Sequence, residues 1–354
     1  MRLAANLVYQ GAAELARTAE ELGYDVVLAP EGYLSDAVSV LGLAAGATER
    51  IGLASGVMQI PARAPGMAAL TAATLDALSG GRFRLGLGVS NPDVSQGWYG
   101  VPFDRPLART REYVDIVRQA LTGRPVTYAG EHFRLPAAGA DRDAAPLLLV
   151  TERVREGIPV YLAAVGPRAL RLAGEIADGW IGVFTSPEAV GDAVAEIRKG
   201  RSAAGLGMAG FDVLPSLPTS VADDVESAVD ALRGKYVDLL GIGDAEHNVY
   251  CAMARRMGYG REAANLRERL AAGDRAGAGA ALPVGFIDRT ALVGPVPRLA
   301  DRMAEYAEAG VTTLGVMVSA AATTLEGRVG ILRAAADALE LAGVADAEAH
   351  LLRQ

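Results

Sequence analysis

The chain has one cysteine, three histidines and no basic excess among its 354 residues. A lone thiol, Cys251, excludes an internal disulfide and argues against a thiolate metal cluster. His132, His247 and His350 supply too few imidazoles for most zinc or non-haem iron sites, so no metal site is expected. The 34 Lys and Arg are scattered and outweighed by 42 Asp and Glu, for a net charge of -8. Neither nucleic acid nor an anionic membrane surface is therefore expected as a partner. No segment reaches transmembrane length without charge or glycine breaks, and MRLAANLVYQG lacks the apolar stretch of a secretion signal, so a cytoplasmic protein is expected. Motifs are missing too. There is no GxxxxGK[ST] loop, GLGVSN lacks the third glycine and later acid of a dinucleotide fingerprint, and GLASG and GIGD are not nucleophile elbows.

What is present is an alternation. Helix, glycine and strand follow one another in AEELGYDVVLAP (19–30), LSGGRFRLGLGV (78–89), AGEIADGWIGVF (173–184) and AEYAEAGVTTLGVMV (304–318). Leu3–Tyr9, Ile51–Val57, Val160–Val165 and Phe211–Leu217 add the remaining short apolar runs, about eight strands in all. That count predicts an α/β fold closed as a TIM (β/α)8 barrel. A doubly wound open sheet is the runner-up, but its phosphate-binding glycine turn is replaced here by Tyr9-Gln10-Gly11. Within the unit 51–90, Pro65 opens a helix whose apolar positions Met67, Leu70, Ala73, Leu75 and Leu78 recur at helical spacing, and Gly80-Gly81 ends it. Two stretches break the pattern, 124–157 with a hairpin around Ala129-Gly130, and 241–289. Neither is long enough for a core of its own, so a single domain over 1–354 with inserted lids is expected.

Barrel chemistry gathers where strands end, so the exits hold the candidates. Glu31 and Tyr33 leave the second strand, a carboxylate and a phenol able to bind substrate or move a proton, or merely a surface acid and a half-buried ring. Ser55, Gly56 and Val57 end the third; small residues there let the backbone approach something flat, or simply pack tightly. The fourth exit, Ser90 to Gly100, mixes hydrogen-bonding groups with Trp98 and suits a ligand wall. The helix after it carries Arg109, Arg111, Glu112 and Tyr113, which read as cations aimed at the site or as a solvated face. Gly166, Pro167 and Arg168 place glycine before a helix N-terminus, where free N–H groups and an arginine can take phosphate. His247, beside Asn248 and Tyr250, reads as a lid or structural histidine.

The segments SGVMQIPARAPGMAAL, SGGRFRLGLGVSN and VYLAAVGPRALRLAGEIADGWIGVF together resemble the luciferase-like monooxygenase superfamily, and within it the coenzyme F420-dependent oxidoreductases similar to methylene-tetrahydromethanopterin reductase. The resemblance implies a flavin or 5-deazaflavin at the barrel mouth. Gly56-Val57 would be a non-prolyl cis peptide behind the ring, Ser90 and Asn91 would lie along the ring or ribityl chain, and Gly166-Pro167-Arg168 would hold the cofactor phosphate. It also implies hydride transfer at the deazaflavin C5 to or from a small organic substrate, with Glu31 or Tyr33 exchanging the proton, and a homodimer. The chain departs from its relatives at Glu31-Gly32-Tyr33, where they often carry a histidine after the acid. Two alternatives stand beside this reading: an FMN-dependent monooxygenase using O2 and a partner reductase, and a non-catalytic flavin-binding or assembly barrel.

Overall fold

The computed structural model describes residues 1–32, 34–137, 139 and 144–346. Eight parallel strands form a ring: β1 (Arg2–Asn6), β2 (Val26–Ala29), β3 (Gly52–Ser55), β4 (Phe83–Gly88), β5 (Val160–Ala163), β6 (Gly179–Val183), β7 (Asp212–Val221) and β8 (Thr313–Met317). Each pairs with the next, and β8 returns to β1 with Arg2 opposite Thr313 and Asn6 opposite Met317. The fold is a TIM barrel. Two further short strands lie outside the expected set: Met58–Gln59 pairs with β4, and Leu292–Gly294 pairs with the end of β7, which runs past Leu217 to Val221.

Side chains alternate across each strand, so every second residue points inside the ring. Ala4, Val26, Leu28, Ala54, Tyr161, Ile181 and Leu214 form the inner cluster. Their neighbours Leu3, Ala5, Val27, Ala29 and Leu53 belong to the larger core under the helices. The N-terminal end of the ring is closed by charge. Asp212 accepts from Tyr161 Oη at 2.8 Å, from Thr313 Oγ1 at 2.8 Å and from Arg2 Nη2 at 3.2 Å, and Thr312 donates to it as well. Arg84 Nη2 stands 2.8 Å from Asp25. Burial alone would lower the Arg84 guanidinium, yet Asp25, Tyr161 and Asp212 together hold it above its ordinary range.

The helix Pro65–Leu78 forms as expected, but it presents another face. Met67, Leu70 and Leu78 are 53%, 40% and 65% exposed, while Ala68, Ala69, Ala72 and Leu75 are buried. Small residues take the inner stripe because they let the helix lie close on β3 and β4. The first insertion carries the expected hairpin, Tyr128–Ala129 against Arg134–Leu135. Its turn is held by Glu112, whose carboxylate accepts the N–H groups of Glu131, His132 and Phe133. Burial works against that charge, but the three bonds leave the Glu112 carboxyl below its usual range. Its partner Tyr113 is buried rather than solvated.

The second insertion packs on a cluster that it shares with the barrel, not on one of its own. The helices Val225–Gly241, Val249–Arg256, Gly260–Ala271, Arg275–Ala280 and Val284–Arg289 enclose that cluster, built on Leu232, Tyr236, Leu240, Leu266 and Phe286. The barrel contributes Phe184, which meets Tyr236 and Tyr250 edge-on at 5.4 Å each. Among the described residues no helix is long and apolar enough to cross a membrane.

Candidate functional site

The site begins where β3 stops pairing. The ladder to β4 runs through Ala54 opposite Arg84 and resumes at Met58 opposite Leu87, leaving Ser55 to Val57 between. Ser55 bridges that gap. Its hydroxyl donates to the Gly86 carbonyl at 2.8 Å and accepts the Gly86 N–H at 2.9 Å, fully buried, so it latches two strands and does not line the cleft described next. The Gly56–Val57 peptide that follows is cis. Val57 packs down on the inner cluster of the barrel and shows its other side to the mouth.

That mouth holds an open cleft of about 770 Å³, a size suited to a small molecule or cofactor. Its apolar walls are Val57, Ile60, Leu87, Leu162 and Leu172. Gly88 lies beside Val57: a Cβ there would stand 2.6 Å from Val57 Cγ2, so glycine is what allows the valine its place. Ser90 follows in the left-handed region at φ 67°, and Asn91 spends its side-chain oxygen capping the helix Pro92–Gly97 through Val94 N–H at 3.0 Å. Both border the cleft. So do Gly166, Pro167 and Arg168, at the start of the helix Pro167–Ile176. Gly166 is its N-cap with φ 83° and no side-chain cap, which leaves the first N–H groups free for an anion. Arg168 makes no ion pair among the described residues.

Glu31 sits one step back from this cleft. Its Oε1 accepts the Gln59 N–H at 3.1 Å and pairs with Arg63 Nη1 at 2.6 Å. Its Oε2 is buried without a partner. Burial alone would lower the Arg63 guanidinium, but the bond and charge of Glu31 hold it above its ordinary range. Gln59 Nε2 in turn donates to the Glu31 carbonyl at 3.1 Å, and Ser90 Oγ donates to Gln59 Oε1 at 2.7 Å. Tyr33, the other candidate on this exit, lies outside the described residues.

Several contributors escape a reading of strand exits alone. Arg63 comes just after the third exit, whose polar run ends at Gln59. Phe103 reaches the cleft from the loop before the helix Pro106–Leu121, Leu107 and Thr110 reach it from that helix, and His247 and Val249 overhang it from the second insertion. His247 Nδ1 stands 3.1 Å from Asp244 Oδ1, and the loop is tied down by Asn248, whose Nδ2 donates to Leu239 and Ile242 carbonyls at 2.8 Å each. Trp98, by contrast, is 72% exposed and is not part of this cleft's wall. No group of three or more metal-ligating side chains occurs among the described residues.

Comparison with known proteins bears on this geometry. A sequence model of a family described as luciferase-like monooxygenase matches residues 1–313. A Mycobacterium tuberculosis protein provisionally named a coenzyme F420-dependent oxidoreductase is 37% identical over 333 residues, which is 91% of this chain and 96% of that one. The 5,10-methylenetetrahydromethanopterin reductase of Archaeoglobus fulgidus is 30% identical over 302 residues, 84% and 86% of the two chains. The solved structure of the coenzyme F420 dependent tetrahydromethanopterin reductase from Methanopyrus kandleri matches with a TM-score of 0.81 at 24% identity, over 95% of this chain and 97% of that one. At that identity the last match speaks to fold.

Proposed function

Because the chain belongs to the luciferase-like monooxygenase family, we propose that it is an oxidoreductase that binds coenzyme F420 at the barrel mouth. One observation carries the reading: Val57, packed on the inner cluster of the barrel, presents an apolar wall at the mouth beside the side-chain-free Gly88. Those residues fit a flat ring, and the uncapped helix start at Gly166 with the unpaired Arg168 fits an anionic tail. The Mycobacterium tuberculosis relative at 37% identity, whose provisional name includes coenzyme F420, supports F420 over other ring cofactors.

When bound, the deazaflavin supplies hydride transfer at C5 to or from a small organic substrate. The chain's part is orientation and exclusion. Val57, Leu87 and Leu162 exclude water from one face, which leaves the opposite face for substrate. The helix start at Gly166 and Arg168 fix the tail and so set the position of the ring. Glu31, with Oε2 buried and unpartnered, is the group we assign to proton exchange; Arg63 and the Gln59 N–H hold its other oxygen. Fluorescence titration of the purified protein tests the cofactor. F420 is expected to bind at least about tenfold more tightly than FMN, roughly 1.4 kcal/mol. Equal or reversed affinities would sink the proposal and move the reading to a flavin monooxygenase.

A further inference from the structure

Ser90 stands on the cleft wall with its proton already committed, and the commitment can be traced through its neighbours. The Glu31 carbonyl oxygen can only accept, so the Gln59 atom 3.1 Å from it is the amide nitrogen. This settles an orientation that is otherwise ambiguous for an amide, and it turns Gln59 Oε1 toward Ser90 Oγ at 2.7 Å. An amide oxygen can only accept, so Ser90 donates. Gln59 is held in place at its own backbone, whose N–H reaches Glu31 Oε1 at 3.1 Å, and Arg63 fixes that oxygen from another side at 2.6 Å. No other hydrogen bond to Ser90 Oγ occurs among the described residues. The lone pairs of the hydroxyl are therefore what Ser90 can offer a ligand.

We propose that Gln59 is a positioning residue that fixes Ser90 as a hydrogen-bond acceptor, and that Ser90 receives the imide N–H of the bound ring. The inference rests on reading the cleft as a flavin or deazaflavin site. Around the mouth, Glu31, Gln59, Ser90 and Arg168 follow β2, β3, β4 and β5 in ring order. The Ser90 hydroxyl faces Gln59, on the side away from Arg168. A ligand with its anionic tail at Arg168 brings its ring, not its sugar chain, to that side. Of the ring atoms shared by flavins and deazaflavins, the imide nitrogen is the hydrogen-bond donor. A ring with an acceptor at this point would meet two sets of lone pairs and be rejected, because the Ser90 proton cannot turn toward it without abandoning Gln59.

The experiment is a fluorescence titration of 5-deazariboflavin and its N3-methyl derivative against wild-type protein, Ser90→Ala, Ser90→Gly and Gln59→Leu. Wild type is expected to bind the methylated compound about tenfold more weakly, the value of one hydrogen bond together with the steric cost of the methyl group. Ser90→Ala and Ser90→Gly should bind the two compounds about equally; glycine suits the left-handed backbone at this position, so a folding defect in the alanine variant would not obscure the result. Gln59→Leu should narrow the gap while leaving Ser90 present, a change that a purely structural glutamine would not produce. Equal binding by wild type overturns the proposal, as does full discrimination retained without the Ser90 hydroxyl. If folded wild-type protein binds neither compound and does not bind F420, the ring-site reading itself falls, and this inference with it; if it binds F420 alone, the ring is not held at Ser90 and this inference falls by itself.

Discussion

Gly88→Val is expected to weaken F420 binding by about a hundredfold, close to 2.7 kcal/mol, while the protein still folds. Gly88 lines the cleft, and a Cβ on it would come within 2.6 Å of Val57 Cγ2 and 3.7 Å of Ala163 Cβ. The first of these is the end of a side chain and can move, so the barrel survives. What does not survive is the wall: either the new methyl groups enter the cleft or Val57 is pushed into it. Gly86, two residues earlier on the same face of β4, makes the contrast. A Cβ there would run into the Ser55 carbonyl oxygen, which is backbone and cannot yield. Gly86→Ala should therefore give insoluble or unfolded protein, whereas Gly88→Val should give folded protein that does not bind. Thermal melts with F420 titrations separate the two. Binding by Gly88→Val within threefold of wild type, at an unchanged melting temperature, would show that the Val57 wall is not where the ring lies.

The second large effect is expected at the opposite end of the barrel. Asp212→Ala removes the acceptor shared by Arg2, Tyr161, Thr312 and Thr313 and takes one counter-charge from the buried Arg84. Breaking a buried ion pair from one side costs about 3–5 kcal/mol. For a chain of this length that corresponds to a fall of about 4–7 °C in Tm. Ligand binding by the surviving folded protein should not change, since the N-terminal face of such barrels serves stability and the C-terminal face serves chemistry. Adding Arg84→Met should recover part of the loss, because the double variant leaves no unpaired charge inside. A Tm within 1 °C of wild type for the single variant would mean that water already satisfies this end.

The barrel is legible in the chain because a strand buried on both faces reads as a short apolar run, and VVLA, FRLGLG and TLGVM each do. The rotation of a helix is harder to read when it is apolar nearly all round. In Pro65–Leu78 Met67, Leu70 and Leu78 look like part of the stripe that should be buried, yet of that stripe only Leu75 is, beside Ala68, Ala69 and Ala72, because close approach to the sheet rewards small volume over hydrophobicity. The second core is hidden for another reason. Its members Leu232, Tyr236, Leu266 and Phe286 are spread over several short helices rich in alanine, glycine and arginine, and no one segment shows a buried face. At the site, Gly56, Val57 and the Gly166 turn stand out from resemblance and from local chemistry. Gln59 stands out as the polar end of the third exit, but Arg63 does not, since what distinguishes it is contact with Glu31, 32 residues away.

The inserted helices are attached to the barrel unevenly. Their core takes in Phe184 after β6 and, more shallowly, Val183 and Met317 of β6 and β8. Their free edge, with Gly243 against Asp93 and His247 over the cleft, reaches the exits of β4 and β5 on the other side of the mouth. Mechanically this is a cantilever: rooted at β6 to β8, with its tip resting on the rim where a ligand must pass. On this geometry a small rotation at the Phe184 root would displace the His247 tip most. Amino-acid changes packed around Phe184, Tyr236 and Tyr250 can therefore alter how fast ligands enter and leave without touching any residue that meets them.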